Sequence, residues 1–341
     1  AWIRGRGWHQ EKWSSTPEPS VDGVPLHDVL SAVSPDHPVA LTHASGHATF
    51  VNARALELAG IDADTPDPDG GTIVRDASGR ATGLLRETAA GLVRTAMAEA
   101  QSGMSDEERD AIFRQQVALA GREALEHGIT AFHDAGVSFG TVAGFRRLAD
   151  EGALPVRLYV MVREGNDALR EQLADAMVEE YGDGFLTVRS IKVSIDGALG
   201  SHGAWLLEPY ADLPSTAGLN TVPVPDVEET ARIALELGAQ LNVHAIGDRA
   251  NREVLDLYES AWTEADIDGS GLRWRIEHAQ HLHPEDIPRF AQLGVVPSMQ
   301  GVHATSDGPW VPEKLGEWRS RTGAYMWRDL WDSGARVTNG T

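Results

Sequence analysis

Lys192, His244 and His278 are the residues of this sequence whose types and spacing could do chemistry together. Each lies in, or ends, a short alternating run: Ser190-Ile191-Lys192-Val193-Ser194-Ile195, Leu241-Asn242-Val243-His244 and Trp274-Arg275-Ile276-Glu277-His278. Alternation puts Ser190, Lys192 and Ser194 on one side of a strand and Ile191, Val193 and Ile195 on the other. The apolar side suits an outer layer of helices, so Lys192 should point inward. A buried lysine is costly when charged, and its pKa falls. The neutral amine could serve as a Schiff-base nucleophile, or take up carbon dioxide and become a metal-binding carbamate. A salt bridge to a neighbouring carboxylate would explain the residue without any chemistry. A single histidine at a strand end is most often structural. Two of them, on consecutive strands after an inward lysine, read as metal ligands, because neutral imidazole is the commonest one. Glu277 falls on the opposite face from His278 and reads as an outward ion pair.

Other side chains offer weaker signals. His303 follows a strand in Gln300-Gly301-Val302-His303, and Trp8 and Trp310 lie in non-helical segments where they could line a pocket. Asp196 and Arg249 sit in the turns after the lysine and first histidine strands. Trp8, Asp196, Arg249 and His303 are therefore the candidates for substrate contact. Asp134 could bind a ligand or cap a loop, His133 reads as packing, and His127, His281 and His283 read as helix-end residues. No Gly-x-Ser-x-Gly elbow and no His-Glu-x-x-His is present, so the serine-hydrolase and helix-borne zinc-protease signals are both missing.

Strands alternating with helices must position these groups. The pattern places strands at 129–134, 155–162, 188–195, 240–245, 274–278, 295–299 and 335–338. Helices fall between them, and strand–helix repetition implies a parallel sheet. Ser105 and Glu108 form a capping box that opens a long helix. Seven strands are one short of an eight-stranded (β/α) barrel. The expectation is an α/β fold, a TIM-type barrel with about seven strands present. An open doubly wound sheet is the alternative, but it would want a phosphate-cradling glycine loop after the first strand. Residues 1–104 show no such rhythm. They read as loops, short helices and a hairpin turning near Ser78-Gly79, forming an insertion packed on the barrel rim, with 105–341 as the barrel. Residues 84–98 read as helical. Two strand-to-helix connections, 196–225 and 300–322, read as long rim loops.

The chain has 341 residues and a formal net charge of −22, which argues against nucleic acid and anionic membranes as partners. Cysteine is absent, so disulfides and cysteine-ligated zinc are excluded. No apolar run is long enough to span a bilayer. A small-molecule substrate, a cytoplasmic location and a homodimer are the corresponding expectations.

Three stretches resemble the amidohydrolase superfamily, and within it the type 3 branch of YtcJ-like proteins and N-substituted formamide deformylases. They are Ile191-Lys192-Val193-Ser194-Ile195-Asp196-Gly197-Ala198-Leu199-Gly200-Ser201, Val243-His244-Ala245-Ile246-Gly247-Asp248-Arg249-Ala250 and Arg275-Ile276-Glu277-His278-Ala279-Gln280. Gly7-Trp8, Gly46-His47 with Asn52, Gly83-Leu84-Leu85-Arg86-Glu87 and Leu315-Gly316 support the likeness. The resemblance implies a (β/α)8 barrel with a small β-sandwich. It implies one or two divalent ions, zinc by preference, held by Lys192 (carboxylated), His244 and His278. It implies hydrolysis of a non-peptide C–N bond by metal-activated water. The family's His-x-His pair and its final Asp have no match here, and neither does the sandwich. The sequence therefore resembles an interior piece of a longer enzyme. A Schiff-base lyase using Lys192, a catalytically inactive fragment and a small-molecule binding barrel are the alternatives.

Overall fold

The computed structural model describes residues 2–340. Seven parallel strands follow one another in chain order: Ala131–Val137, Arg157–Val162, Leu186–Ser194, Gln240–Ala245, Arg275–His278, Val296–Gln300 and Thr338–Gly340. A short antiparallel strand, Val178–Glu180, pairs with Leu186–Ser194 outside this path. The sheet runs from Thr338–Gly340 at one end to Ala131–Val137 at the other, and among the described residues these two strands are not paired. The seven expected strands are thus present, each within a few residues of its expected place.

The outward strand face is apolar because helices cover it. Ile191, Ile195, Leu241, Val243 and Ile276 join one core with Leu169, Leu173, Val227, Val254 and Phe290 from the surrounding helices. Burial of side chains of this size stabilises by about 1.5–3 kcal/mol each, so this layer holds the strand ends in place. The capping box at Ser105 and Glu108 opens the helix Asp106–Glu126.

Residues 3–87 form a five-stranded mixed sheet in the order Ile3–Trp8, Val39–His43, Ala48–Val51, Ala81–Glu87, Gly71–Arg75. The hairpin around Ser78-Gly79 joins the last two of these. The helix expected over 84–98 is corrected: Ala81–Glu87 is a strand, and the helix is Ala90–Gln101. Leu84 and Leu85 favour helix locally, but this strand pairs on both sides, with Ala48–Val51 and with Gly71–Arg75, and those ladders override the propensity. The 300–322 connection is also corrected. It is not a loop but two helices, Gly301–Asp307 and Val311–Gly323. Trp310, Val311 and Leu315 pack on Ala198, Leu199 and Tyr210 of the 196–223 connection, a long-range contact that no local pattern announces. Among the described residues no helix is long and apolar enough to cross a membrane.

Candidate active site

The parallel strands end at one cleft of about 1300 Å³, lined by His47, Glu87, Lys192, Asp196, His244 and His278 among others. Lys192 projects inward from mid-strand and is 5% exposed. Its Nζ has one hydrogen bond, to the Val193 carbonyl at 3.3 Å. Burial, reinforced by Arg163 and Arg275 and opposed by Glu277 and Asp196, lowers its pKa from 10.5 to about 7. The amine is therefore partly neutral near neutral pH, the form able to act as nucleophile, ligand or carbamate precursor.

This shift has a consequence for stability. Below about pH 7 the folded chain must carry a charged amine in its interior. Between about 7 and 10.5 the unfolded chain keeps a proton that the folded chain has released, so stability rises with pH across that window. A Lys192→Met variant escapes this cost. In metal-free protein it is expected to be more stable than the parent at pH 6, by at most about 5 kcal/mol, with a smaller gain at pH 9. Urea unfolding at the two pH values measures it. A gain that grew with pH would contradict the assigned environment.

His244 ends its strand fully enclosed, and its ring lies 4.6 Å from the His278 ring. Burial, followed by the neighbouring His278, His47 and Lys192, holds its pKa well below the ordinary imidazole value. His278 is depressed in the same way, first by burial and then by Lys192. Both rings are thus neutral. The Nδ1 of His278 is 2.6 Å from Gln300 Oε1, and the Gln300 amide is fixed by donating to the Ser298 carbonyl at 2.9 Å. That arrangement puts the His278 proton on Nδ1 and leaves Nε2 free. His244 Nε2 makes no hydrogen bond, although Asp196 Oδ1 stands 3.3 Å away.

The reading of Glu277 as outward is corrected. It is buried, paired with Arg275 inside the sheet's curve at 2.8 Å. Arg275 also donates to Asn242 Oδ1 at 2.9 Å. Strict alternation would then turn His278 outward. It does not, because His278 and Ala279 take positive φ values of 79° and 41°, which re-aim the last side chain of the strand.

His47 and Glu87 also line the cleft, and the catalytic reading of the sequence did not include them. The His47 ring lies 4.8 Å from that of His244, and its Nδ1 is 2.7 Å from Glu87 Oε2. They arrive from the N-terminal sheet. Glu87, with φ of 50°, is cradled by the glycine-rich turn after the lysine strand: a Cβ on Gly197 or Gly203 would collide with its Oε1. The Gly46-His47 and Arg86-Glu87 pairs were visible as motifs, but nothing local said that they meet.

The candidates for substrate contact are spread out. Asp196 is fully buried, and its oxygens accept from three backbone amides, Trp205, Ile246 and Gly247, at 2.8–3.0 Å. Burial raises its pKa to about 7 against those hydrogen bonds. His303 lies in the first turn of Gly301–Asp307, its ring 5.6 Å from that of His278. Trp8 lies in the N-terminal sheet, donating to the Leu41 carbonyl at 2.8 Å and packing on His43. Arg249 lies 4.8 Å over the Trp205 ring and is paired with Glu253. Neither Trp8 nor Arg249 lines the cleft.

Among the described residues, no three His, Asp or Glu side chains stand close enough together to hold a metal ion. The donor chemistry nonetheless suits one. Two neutral imidazoles, one of them with a free, unpaired buried nitrogen, face a cleft together with a lysine that is easily deprotonated. Nitrogen donors of this kind suit zinc-class divalent ions.

The family model of the amidohydrolases, in its type 3 form, matches residues 1–341. The chain belongs to the amidohydrolase family. The chain is 34% identical to the Bacillus subtilis protein YtcJ over 345 residues, covering 100% of this chain and 60% of YtcJ. It is 29% identical to the N-substituted formamide deformylase of Arthrobacter pascens, covering 99% of this chain and 60% of that protein. It matches the crystal structure of an uncharacterized metal-dependent hydrolase from Pyrococcus horikoshii with a TM-score of 0.70 and 25% identity, covering 100% of this chain and 62% of that one. The chain therefore spans about 60% of the length of these curated relatives.

Proposed function

We propose that the protein is a metal-dependent hydrolase of non-peptide C–N bonds, of the amide or N-substituted formamide type. Lys192, His244 and His278 are the proposed holders of one or two divalent ions, zinc by donor type. The observation that carries this reading is the meeting of two neutral buried imidazoles and a buried lysine at one cleft in an amidohydrolase chain. Similarity to a formamide deformylase supports the choice of bond, and similarity to a metal-dependent hydrolase supports the choice of cofactor. A bound divalent ion would polarise the carbonyl and make water acidic enough to attack near neutral pH.

The chain's own residues prepare that chemistry. Gln300 fixes the tautomer and ring plane of His278. Glu87 does the same for His47, which presents its other ring nitrogen beside His244. Burial keeps Lys192 available in its neutral form. Among the proposed substrate contacts, Asp196 lines the cleft and His303 stands beside His278. The expected substrate is a small molecule.

The test is metal analysis of the purified full-length protein, combined with turnover of N-substituted formamides before and after chelation. Stoichiometric metal and chelator-sensitive turnover are expected. Metal-free protein with chelator-indifferent turnover would overturn the reading. Borohydride trapping of substrate on Lys192 would replace it with a Schiff-base lyase.

A further inference from the structure

One part of the cleft is lined by two guanidinium groups that no carboxylate neutralises. Arg163 follows the last residue of the strand Arg157–Val162, and Arg94 lies in the helix Ala90–Gln101; both line the cleft. Arg163 donates to the Ser194 hydroxyl, a neutral partner. The neighbouring Glu164 is turned away and accepts from the Phe139 amide at 3.1 Å. The charge felt by Arg163 is that of Arg94, a like charge, and together with burial it lowers the Arg163 pKa. The Arg163 arm runs beside that of Lys192: a Cβ placed on Gly136 would lie 3.2 Å from Arg163 Cδ and 3.5 Å from Lys192 Cγ.

A guanidinium is always charged, so it cannot relieve this situation by losing a proton. On an open surface water would suffice. In a cleft the walls limit solvation and focus the field, and a second positive charge adds repulsion. The chain has 51 acidic residues against 29 basic ones, so two arginines left unpaired in one concavity are an exception that calls for an anion. A guanidinium fork fits a carboxylate through two parallel hydrogen bonds. Glu164, Asp167 and Asp226 also line the cleft, and they would repel a doubly charged phosphate more than a singly charged carboxylate.

We infer that Arg163, assisted by Arg94, forms a subsite for a carboxylate carried by the substrate, on the Lys192 side of the cleft. The substrate class is then an N-acylated or N-formylated amine that bears a free carboxylate, rather than a neutral amide. This refinement rests on the C–N hydrolase reading.

The test uses the full-length holoprotein and a matched pair of substrates, an N-formyl amino acid and the same skeleton with its carboxylate replaced by a carboxamide. The parent is expected to favour the carboxylate by about tenfold or more in kcat/KM. Arg163→Met should lose most of that preference, mainly through KM, with Arg163→Lys recovering part of it and Arg94→Met losing less. No preference in the parent would overturn the subsite. So would a loss in Arg163→Met that is equal for both substrates, since that would make the arginine a partner of Lys192 instead. Calorimetry on the metal-stripped full-length protein separates the two readings. Tighter binding of the N-formyl amino acid than of its carboxamide, weakened by Arg163→Met, supports the subsite even if neither compound is hydrolysed by the holoprotein. Equal affinities overturn it whatever the activity.

Discussion

Lys192→Ala in the full-length protein is expected to lose its tightly held metal and to fall by about three orders of magnitude in kcat, equivalent to about 4 kcal/mol of transition-state stabilisation. The expectation follows from where the lysine is. It is enclosed at the cleft, its amine has only a backbone carbonyl at 3.3 Å, and burial keeps it largely deprotonated. A group kept this expensively is seldom structural when no carboxylate within hydrogen-bond reach compensates it. Truncation also leaves His244 and His278 as the only other proposed ligands, too few for tight zinc-class binding. Metal content after desalting and steady-state turnover of an N-substituted formamide measure the two effects. Lys192→Glu offers a carboxylate without carbon dioxide, so metal retained by Glu but lost by Ala would point to the carbamate. An Ala variant that kept both metal and rate would remove the lysine from the ligand set.

Asp196→Ala is expected to destabilise the fold by about 3–6 kcal/mol, a large part of an ordinary domain's stability. Asp196 is fully buried and accepts from the Trp205, Ile246 and Gly247 amides, and water has no ready route to replace it. Those amides belong to the 196–223 connection and to the turn after His244, so one carboxylate pins both segments to the lysine strand. The packing there leaves no slack, since a Cβ on Gly247 would strike the Trp205 carbonyl. Each orphaned buried donor costs about 1–3 kcal/mol, which gives the range. Asp196→Asn should fall between parent and Ala, because the amide keeps one acceptor but turns a donor toward an N–H. Urea unfolding of the three proteins checks the order. A loss below about 1 kcal/mol for Ala would mean that the amides find other partners.

The chemistry of the site was partly legible because strand alternation is a local property. Lys192 and His244 could be assigned an inward direction from their neighbours alone, and the apolar face of Ile191, Val243 and Ile276 meets the helix layer. The same rule failed one strand later. At Arg275–His278 the inward pair is Arg275 and Glu277, and His278 reaches the cleft only through a positive-φ turn. A backbone reversal of this kind has no residue signature outside glycine. The helices in 301–323 were hidden for a related reason: their apolar residues face a partner loop far away in the chain, and each helix is too short to show a period.

The sequence alone therefore determined which residue types close the strands, in what order those strands come, and to which family the chain belongs. These follow from side-chain period and from contiguous motifs. Only the tertiary structure decided which groups meet. It brought His47 and Glu87 from the N-terminal sheet to His244, turned His278 into the cleft, set Asp196 among three amides, and left Arg163 and Arg94 facing one concavity without a carboxylate. The physical reason is that proximity across a fold comes from long-range packing and from a few backbone dihedrals, and neither is encoded in the residues adjacent to the ones that meet.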